Sequence, residues 1–251
     1  MSTKVFNTCP FCNERPASKK SSHIISNFLT TTVKASSKGN KLFKINKYNS
    51  SGIYEVKQDS SKENYIFCPT CESFFNTEYE RHIANTFYKA YLTNTHYFDV
   101  FLKSYNLSYR VYTNTNYILF KKFLLLQLYR IHISTLHEYN SLKLSDNQLK
   151  LVHENLTNNL FFEDVRITVF TTDKVEDKTT NVLCATPVNS TSYYIWMNEF
   201  LCVYDFDQNK STIPETIGGS NFQNNSPRVI FLDLDTWQNF INILIDIIKR
   251  Q

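Results

Sequence analysis

The sequence predicts an α+β protein. A zinc-stapled N-terminal module leads into a central helical region, then a mostly antiparallel C-terminal sheet closed by a terminal helix. Three observations carry this reading. Two Cys-x-x-Cys pairs, Cys9-Pro10-Phe11-Cys12 and Cys68-Pro69-Thr70-Cys71, enclose a histidine, His23. From about Tyr88 to Leu160 the apolar residues fall at helical spacing. From about Asp164 the chain turns to short β-branched and aromatic runs separated by turn-forming residues. The implied divisions are residues 1–92, 93–162 and 163–251.

The N-terminal division begins with the first Cys-x-x-Cys turn, where Pro10 helps set the bend. Ser22–Leu29 follows as a short strand or a single helical turn. Residues 30–64 are rich in Ser, Thr, Lys and Asn, with short strands expected at Lys41–Tyr48 and Gly52–Val56. Tyr65-Ile66-Phe67 enters the second Cys-x-x-Cys, and a helix is expected right after Cys71. Phe75, Tyr79, Ile83 and Phe87 recur every four residues as its buried stripe, with Glu72, Asn76 and Glu80 beside it. Glu72 lies in the first turn, where the helix dipole favours a carboxylate.

In the central division, Asn116–Ser134 is apolar on nearly all sides and reads as a buried helix. Arg130 there is expected to anchor a carboxylate or a helix end. Leu144–Leu160 opens with Ser145-Asp146-Asn147-Gln148, which has the form of a capping box. The last division offers strands at Val165–Thr171, Asn181–Pro187, Tyr193–Met197, Phe200–Phe206 and Arg228–Leu232. A final helix is expected from Asp235, with Trp237, Phe240, Ile241 and Leu244 on its packed face.

Composition narrows the function classes. Glycine occurs only 4 times, and no GxxxxGK[ST] or GxGxxG loop is present, so glycine-rich phosphate loops are excluded. Net charge is +4, unevenly spread: residues 1–60 carry ten Lys or Arg against three Asp or Glu, +7, leaving −3 for the rest. A basic N-terminal third suits a polyanionic partner; a solvated Lys/Ser-rich loop explains it equally well. The N-terminus lacks an apolar signal region, and the longest apolar run, Tyr117–Ile133, is interrupted by Lys121, Lys122, Gln127 and Arg130. A cytoplasmic protein without a membrane span is expected. In a reducing compartment, Cys-x-x-Cys pairs mean metal more often than disulfide.

Cys9, Cys12, Cys68 and Cys71 can complete a tetrahedral four-thiolate site. Such a closed site has no open position, so its Zn²⁺ would be structural. Two redox-active Cys-x-x-Cys motifs are the alternative, and they would need a thioredoxin-like βαβ context that the sequence does not offer. Cys184 and Cys202 fall in strands and read as core residues. His82, His96, His132, His137 and His153 show no ligand-like spacing.

The order Cys9–Cys12, then Ser22-His23-Ile24-Ile25-Ser26, then Cys68-Pro69-Thr70-Cys71-Glu72 resembles the cysteine-rich branch of the HNH endonucleases, which have the ββα-metal, treble-clef fold. The likeness covers about residues 5–90. A weaker likeness, to uncharacterised bacterial HNH-like proteins, extends to about residue 160 through Tyr129-Arg130. The resemblance implies a metal-dependent nuclease that hydrolyses phosphodiesters, of DNA rather than RNA, in a setting of bacterial antiviral defence. It implies His23 as general base, and Glu72 with Asn76 as ligands of a catalytic Mg²⁺ or Mn²⁺. Nucleic acid would be met by Lys19, Lys20, Lys41 and Lys44. Ser22 stands where the family carries Asp or Glu, and Ser26 where it carries Pro. Glu72 can instead cap its helix, His23 can simply orient the zinc knuckle, and Asn76 and Glu80 can be a solvated face.

Two other functions fit the same residues. A zinc-stabilised nucleic-acid-binding module would bind without cleaving, which Ser22 favours. An adaptor subunit would dock a protein partner through its C-terminal region.

Overall fold

A computed structural model of the chain describes residues 6–29, 42–45, 54–57, 61–103, 107–158, 165–172, 182–207, 227–232 and positions 235–237, 239 and 242. It is an α+β fold. Two short strands, β1 (Ser22–His23) and β4 (Lys62–Glu63), pair antiparallel, with Ser22 opposite Glu63 and His23 opposite Lys62. Between them in sequence lie β2 (Leu42–Ile45), within the expected strand Lys41–Tyr48, and β3 (Tyr54–Lys57), which overlaps the expected Gly52–Val56 and runs one residue further.

A continuous helix then runs over residues 69–93. Cys68 caps it, its Sγ accepting the Cys71 N–H at 3.3 Å, and Pro69 begins it, where a missing N–H costs nothing. Two of its segments, Phe75–Glu80 and Ala84–Tyr88, are π-helical. The sequence explains why this is tolerated. In an α-helix a four-residue repeat drifts by about 40° per step, because a turn takes 3.6 residues. The wider i→i+5 turns counter that drift. Phe75, Tyr79, Ile83 and Phe87 therefore all stay buried on one side. Asn94, with φ 51°, ends the helix in the left-handed conformation.

The following segment departs from expectation. Tyr97–Leu102 and Leu107–Tyr112 are not helical but form two strands, β5 and β6, paired antiparallel. Asp99 faces Arg110 across the pair, with Arg110 Nε 2.8 Å from Asp99 Oδ1. The stretch is rich in Tyr, Phe and Val, which suit strands as well as helices, and pairing with the sheet decides between them. Two helices follow as expected. The central helix, Tyr117–Ile133, is capped by Asn116 and buried on all sides, its Gln127 and Arg130 included. The third helix, Asp146–Thr157, opens with a complete capping box of Ser145 and Gln148.

The remaining strands are β7 (Arg166–Thr172), β8 (Val182–Pro187), β9 (Ser192–Met197), β10 (Phe200–Asp205) and β11 (Arg228–Leu232). Among the described residues, nine strands make one sheet in the order β3-β2-β8-β9-β10-β7-β11-β6-β5. Its pairs are antiparallel except β2 with β8 and β11 with β7. The sheet is thus not confined to the last third of the chain: the strand pairs β2–β3 and β5–β6 flank the C-terminal strands. Asn198, at φ 59°, turns the tight β9–β10 connection.

Strands β9 and β10 are buried along their whole length. Their alternate residues enter two cores, as the two-residue period requires. Phe200, Cys202 and Tyr204 join the main core, shared with the helices and the cysteine cluster, while Leu201 and Val203 pack with Trp196 and Trp237 on the other face. Residues 235–237 are helical. Most of the expected terminal helix lies outside the described residues.

Candidate functional site

The structure brings together the two halves of the cysteine pattern. The Sγ atoms of Cys9, Cys12, Cys68 and Cys71 all lie within 4.8 Å of one another, with Cys12 and Cys68 4.0 Å apart. A tetrahedral zinc–thiolate site places its sulfurs about 3.8 Å apart, given Zn–S bonds of about 2.3 Å, so this cluster could hold zinc. Burial pushes the thiols of Cys9 and Cys71 up, while backbone N–H groups, first that of Glu14, bring Cys12 down to about 7. Buried thiolates need a cation close by, and the four-cysteine cluster contains no basic side chain.

The first knuckle is held from outside as well as within. Cys9 N–H donates to Arg15 O at 2.7 Å, closing the turn. The Tyr129 hydroxyl donates to Pro10 O at 2.9 Å, and His153 Nε2 lies 2.8 Å from Phe11 O. Phe11 packs edge-on against Phe75. So the central and third helices brace the cysteine turn through Tyr129 and His153. Sequence spacing could not single out either residue, since both contacts span more than a hundred positions.

Beside the cluster opens a cavity of about 630 Å³. His23 from β1 and Glu72, Asn76 and Glu80 from the helix all line it, together with Lys19 and Arg130. The four-residue polar stripe stays on one face for the same helical reason as the apolar stripe beside it. Ser22 is buried and does not itself line the cavity, but its hydroxyl acts on the Glu72 carboxylate.

At the cavity's inner wall stands Arg130, wholly buried. Its Nη1 lies 2.6 Å from Glu80 Oε1 and its Nη2 3.4 Å from Glu72 Oε1. Glu80 is therefore no solvated-face residue: its side chain is 15% exposed. It also accepts a hydrogen bond from the Ser26 hydroxyl. Ser26 N–H in turn donates to Gln127 Oε1 at 3.0 Å. The serine in place of proline supplies a donor that proline could not. Gln127 and Arg130, three positions apart on one face of the central helix, form a polar wall in a mostly apolar element.

The guanidinium favours the charged form of both carboxylates, yet they end on opposite sides of their ordinary value. Burial raises the Glu72 carboxyl above its ordinary value, and Arg130 offsets this only in part. Burial also acts on Glu80, but Arg130 and the Ser26 bond outweigh it and hold Glu80 below that value. Glu72 Oε2 is buried, and the Ser22 hydroxyl and the Lys19 ammonium act on this carboxylate besides Arg130; an oxygen-seeking divalent cation at Oε2 would join or replace them, with Asn76 on the same stripe.

The basic residues divide. Lys19 lines the cavity and is exposed; Lys20 is exposed but does not line it. Lys41 lies outside the described residues, as does the side chain of Lys44 on β2. Cys184 and Cys202 sit in β8 and β10, and burial pushes the Cys184 thiol up to about 12 and that of Cys202 higher still. No described helix is long and apolar enough to cross a membrane.

No protein-family model, curated protein or solved structure matches this chain.

Proposed function

We propose that the chain is a metal-dependent, HNH-like nuclease that hydrolyses phosphodiesters, with DNA preferred over RNA. The observation that supports this best is the convergence of His23, Glu72 and Asn76 on one cavity beside a four-cysteine cluster. These are the residues that the resemblance assigns to the base and to the catalytic cation. Zinc on the four cysteines has a structural role. It fixes the start of the helix that carries Glu72 to the loop that leads into His23.

In this reading His23 takes a proton from the attacking water. Glu72 and Asn76 would hold Mg²⁺ or Mn²⁺, which when bound offsets charge developing on the phosphate. Arg130 holds the Glu72 side chain by Oε1, and a cation would engage Oε2. Ser26 and Glu80 tie the turn after β1 to the helix, so His23 and Glu72 keep their spacing.

The test is cleavage of plasmid DNA, single-stranded DNA and RNA by zinc-loaded protein with Mg²⁺ or Mn²⁺. His23→Ala should lower the rate by about 10²- to 10⁴-fold, as loss of a general base does, with zinc content and fold unchanged. Equal cleavage by both proteins would sink the assignment of the base. A second reading, a zinc-stabilised module that binds nucleic acid without cleaving it, is favoured by Ser22 and by the engagement of both glutamates with Arg130. It predicts salt-sensitive binding and no cleavage by either protein.

A further inference from the structure

The charges of the cavity do not cancel, and the way they pair shows which cations remain for a ligand. Glu72 and Glu80 are the two carboxylates lining it, and both are taken by the buried Arg130. Two more cations line the same cavity. Lys19 comes from the loop before β1, and Arg81 follows Glu80 on the helix. Both are exposed, and neither makes a salt bridge among the described residues. Three fixed cations therefore face two carboxylates, with the excess positive charge at the exposed residues. Arg130 is the close partner of both carboxylates; Lys19 acts on Glu72 only through space, and neither exposed cation is in salt-bridge contact with them.

From this we infer that Arg81 and Lys19 form a phosphate clamp over the cavity, binding the backbone of a nucleic-acid strand on either side of the position that His23 and Glu72 address. The inference rests on the nuclease reading for its ligand and adds Arg81 as a binding residue. Arg81 is chemically suited to this. A guanidinium presents paired N–H donors that match two phosphate oxygens, whereas Lys19 offers a point charge. Arg130 takes no part in contacting phosphate, since it is wholly buried and its Nη1 and Nη2 are turned to the carboxylates. The clamp reads no bases, so it predicts affinity without sequence preference.

The experiment measures binding of a fluorescent single-stranded DNA 20-mer to the full, zinc-loaded chain by anisotropy, across a salt series without added Mg²⁺ or Mn²⁺. Unaltered protein should bind with a steep loss of affinity as salt rises. Arg81→Ala and Lys19→Ala should each weaken binding roughly three- to ten-fold at low salt. Each should also flatten the slope of log affinity against log salt by about 0.7, the increment for one lost phosphate contact on a single strand. Arg81→Lys should keep the slope, because the charge remains, while losing part of the affinity. Lys150→Ala, an exposed residue of the third helix away from the cavity, serves as the control and should leave both unchanged. Zinc content and circular dichroism establish that each variant is folded. Binding by the unaltered protein with Arg81→Ala indistinguishable from it overturns the clamp and leaves the nuclease reading standing. No binding by the unaltered protein overturns the nucleic-acid reading itself, and the clamp with it.

Discussion

Two polar centres sit at the start of the same helix, and they solve one physical problem in opposite ways. The four cysteines gather ligands that want negative charge in a buried place and provide no cation of their own. A few residues on, Glu72 and Glu80 also bring negative charge into a largely buried place, but the chain supplies the cation as Arg130. The first centre could take a metal from outside. The second has a cation built in, fixed by the packing of the central helix. A chain that builds both can lock its fold with one centre and tune a cavity with the other.

The largest expected effect comes from breaking the first centre. Cys68→Ser removes a ligand and the cap of the helix together. Structural zinc in small domains contributes on the order of 10–16 kcal/mol of apparent binding free energy. The variant, and equally the chelated protein, should lose cooperative thermal unfolding in near-UV circular dichroism. A variant that melts as the unaltered protein does would show that the cysteines are not a staple.

Breaking the second centre should cost less but remain severe. Arg130→Met leaves two carboxylates buried without their cation, and loss of one partner of a buried pair costs about 3–5 kcal/mol. Urea denaturation should show this as a lower midpoint, with zinc still bound.

The smallest effect separates the two carboxylates, and here pH decides the sign. Glu80 is held below the ordinary carboxyl value of 4.5, so its charge stabilises the fold above that value, and the contribution is lost as pH falls through its lowered folded value. Glu72 is raised above 4.5, so its ionisation costs stability, a cost that disappears as pH falls from its raised value toward 4.5. Glu80→Gln should therefore destabilise by about 1–3 kcal/mol at neutral pH, converging on the unaltered protein in acid. Glu72→Gln should cost little at neutral pH. Chemical denaturation of both variants at pH 4 and pH 7 checks this, and equal behaviour of the two would refute the unequal sharing of Arg130.

The two centres also differ in how far they could be read from the chain. The cysteine cluster was legible because Cys-x-x-Cys is a local unit: each half forms by a tight turn, and only the meeting of halves is left to the fold. Glu72, Asn76 and His23 were legible by position in that pattern. Arg130 was expected to hold a carboxylate, yet which one could not be named, since its partners lie 50 and 58 positions away. Ser26 and Gln127 gave no signal, because a serine in a turn and a glutamine in an apolar helix are each ordinary alone. Arg81 was one charge among many. The strand pair β5–β6 was hidden because aromatic residues serve both periods.

Local stretches of the chain are enough to specify the four cysteines, the helix that follows them with its two stripes, the buried central helix, the capping box of Ser145 and Gln148, and the C-terminal strands. All of these rest on short-range geometry: turns, caps and the spacing of apolar residues along a few turns. The order of the sheet, with its two recruited strand pairs, and the sharing of Arg130 between Glu72 and Glu80 emerge only in the assembled fold. The physical reason is the same for both. A strand's neighbour and a buried charge's partner are chosen by what the whole chain brings near, and no local stretch carries that information.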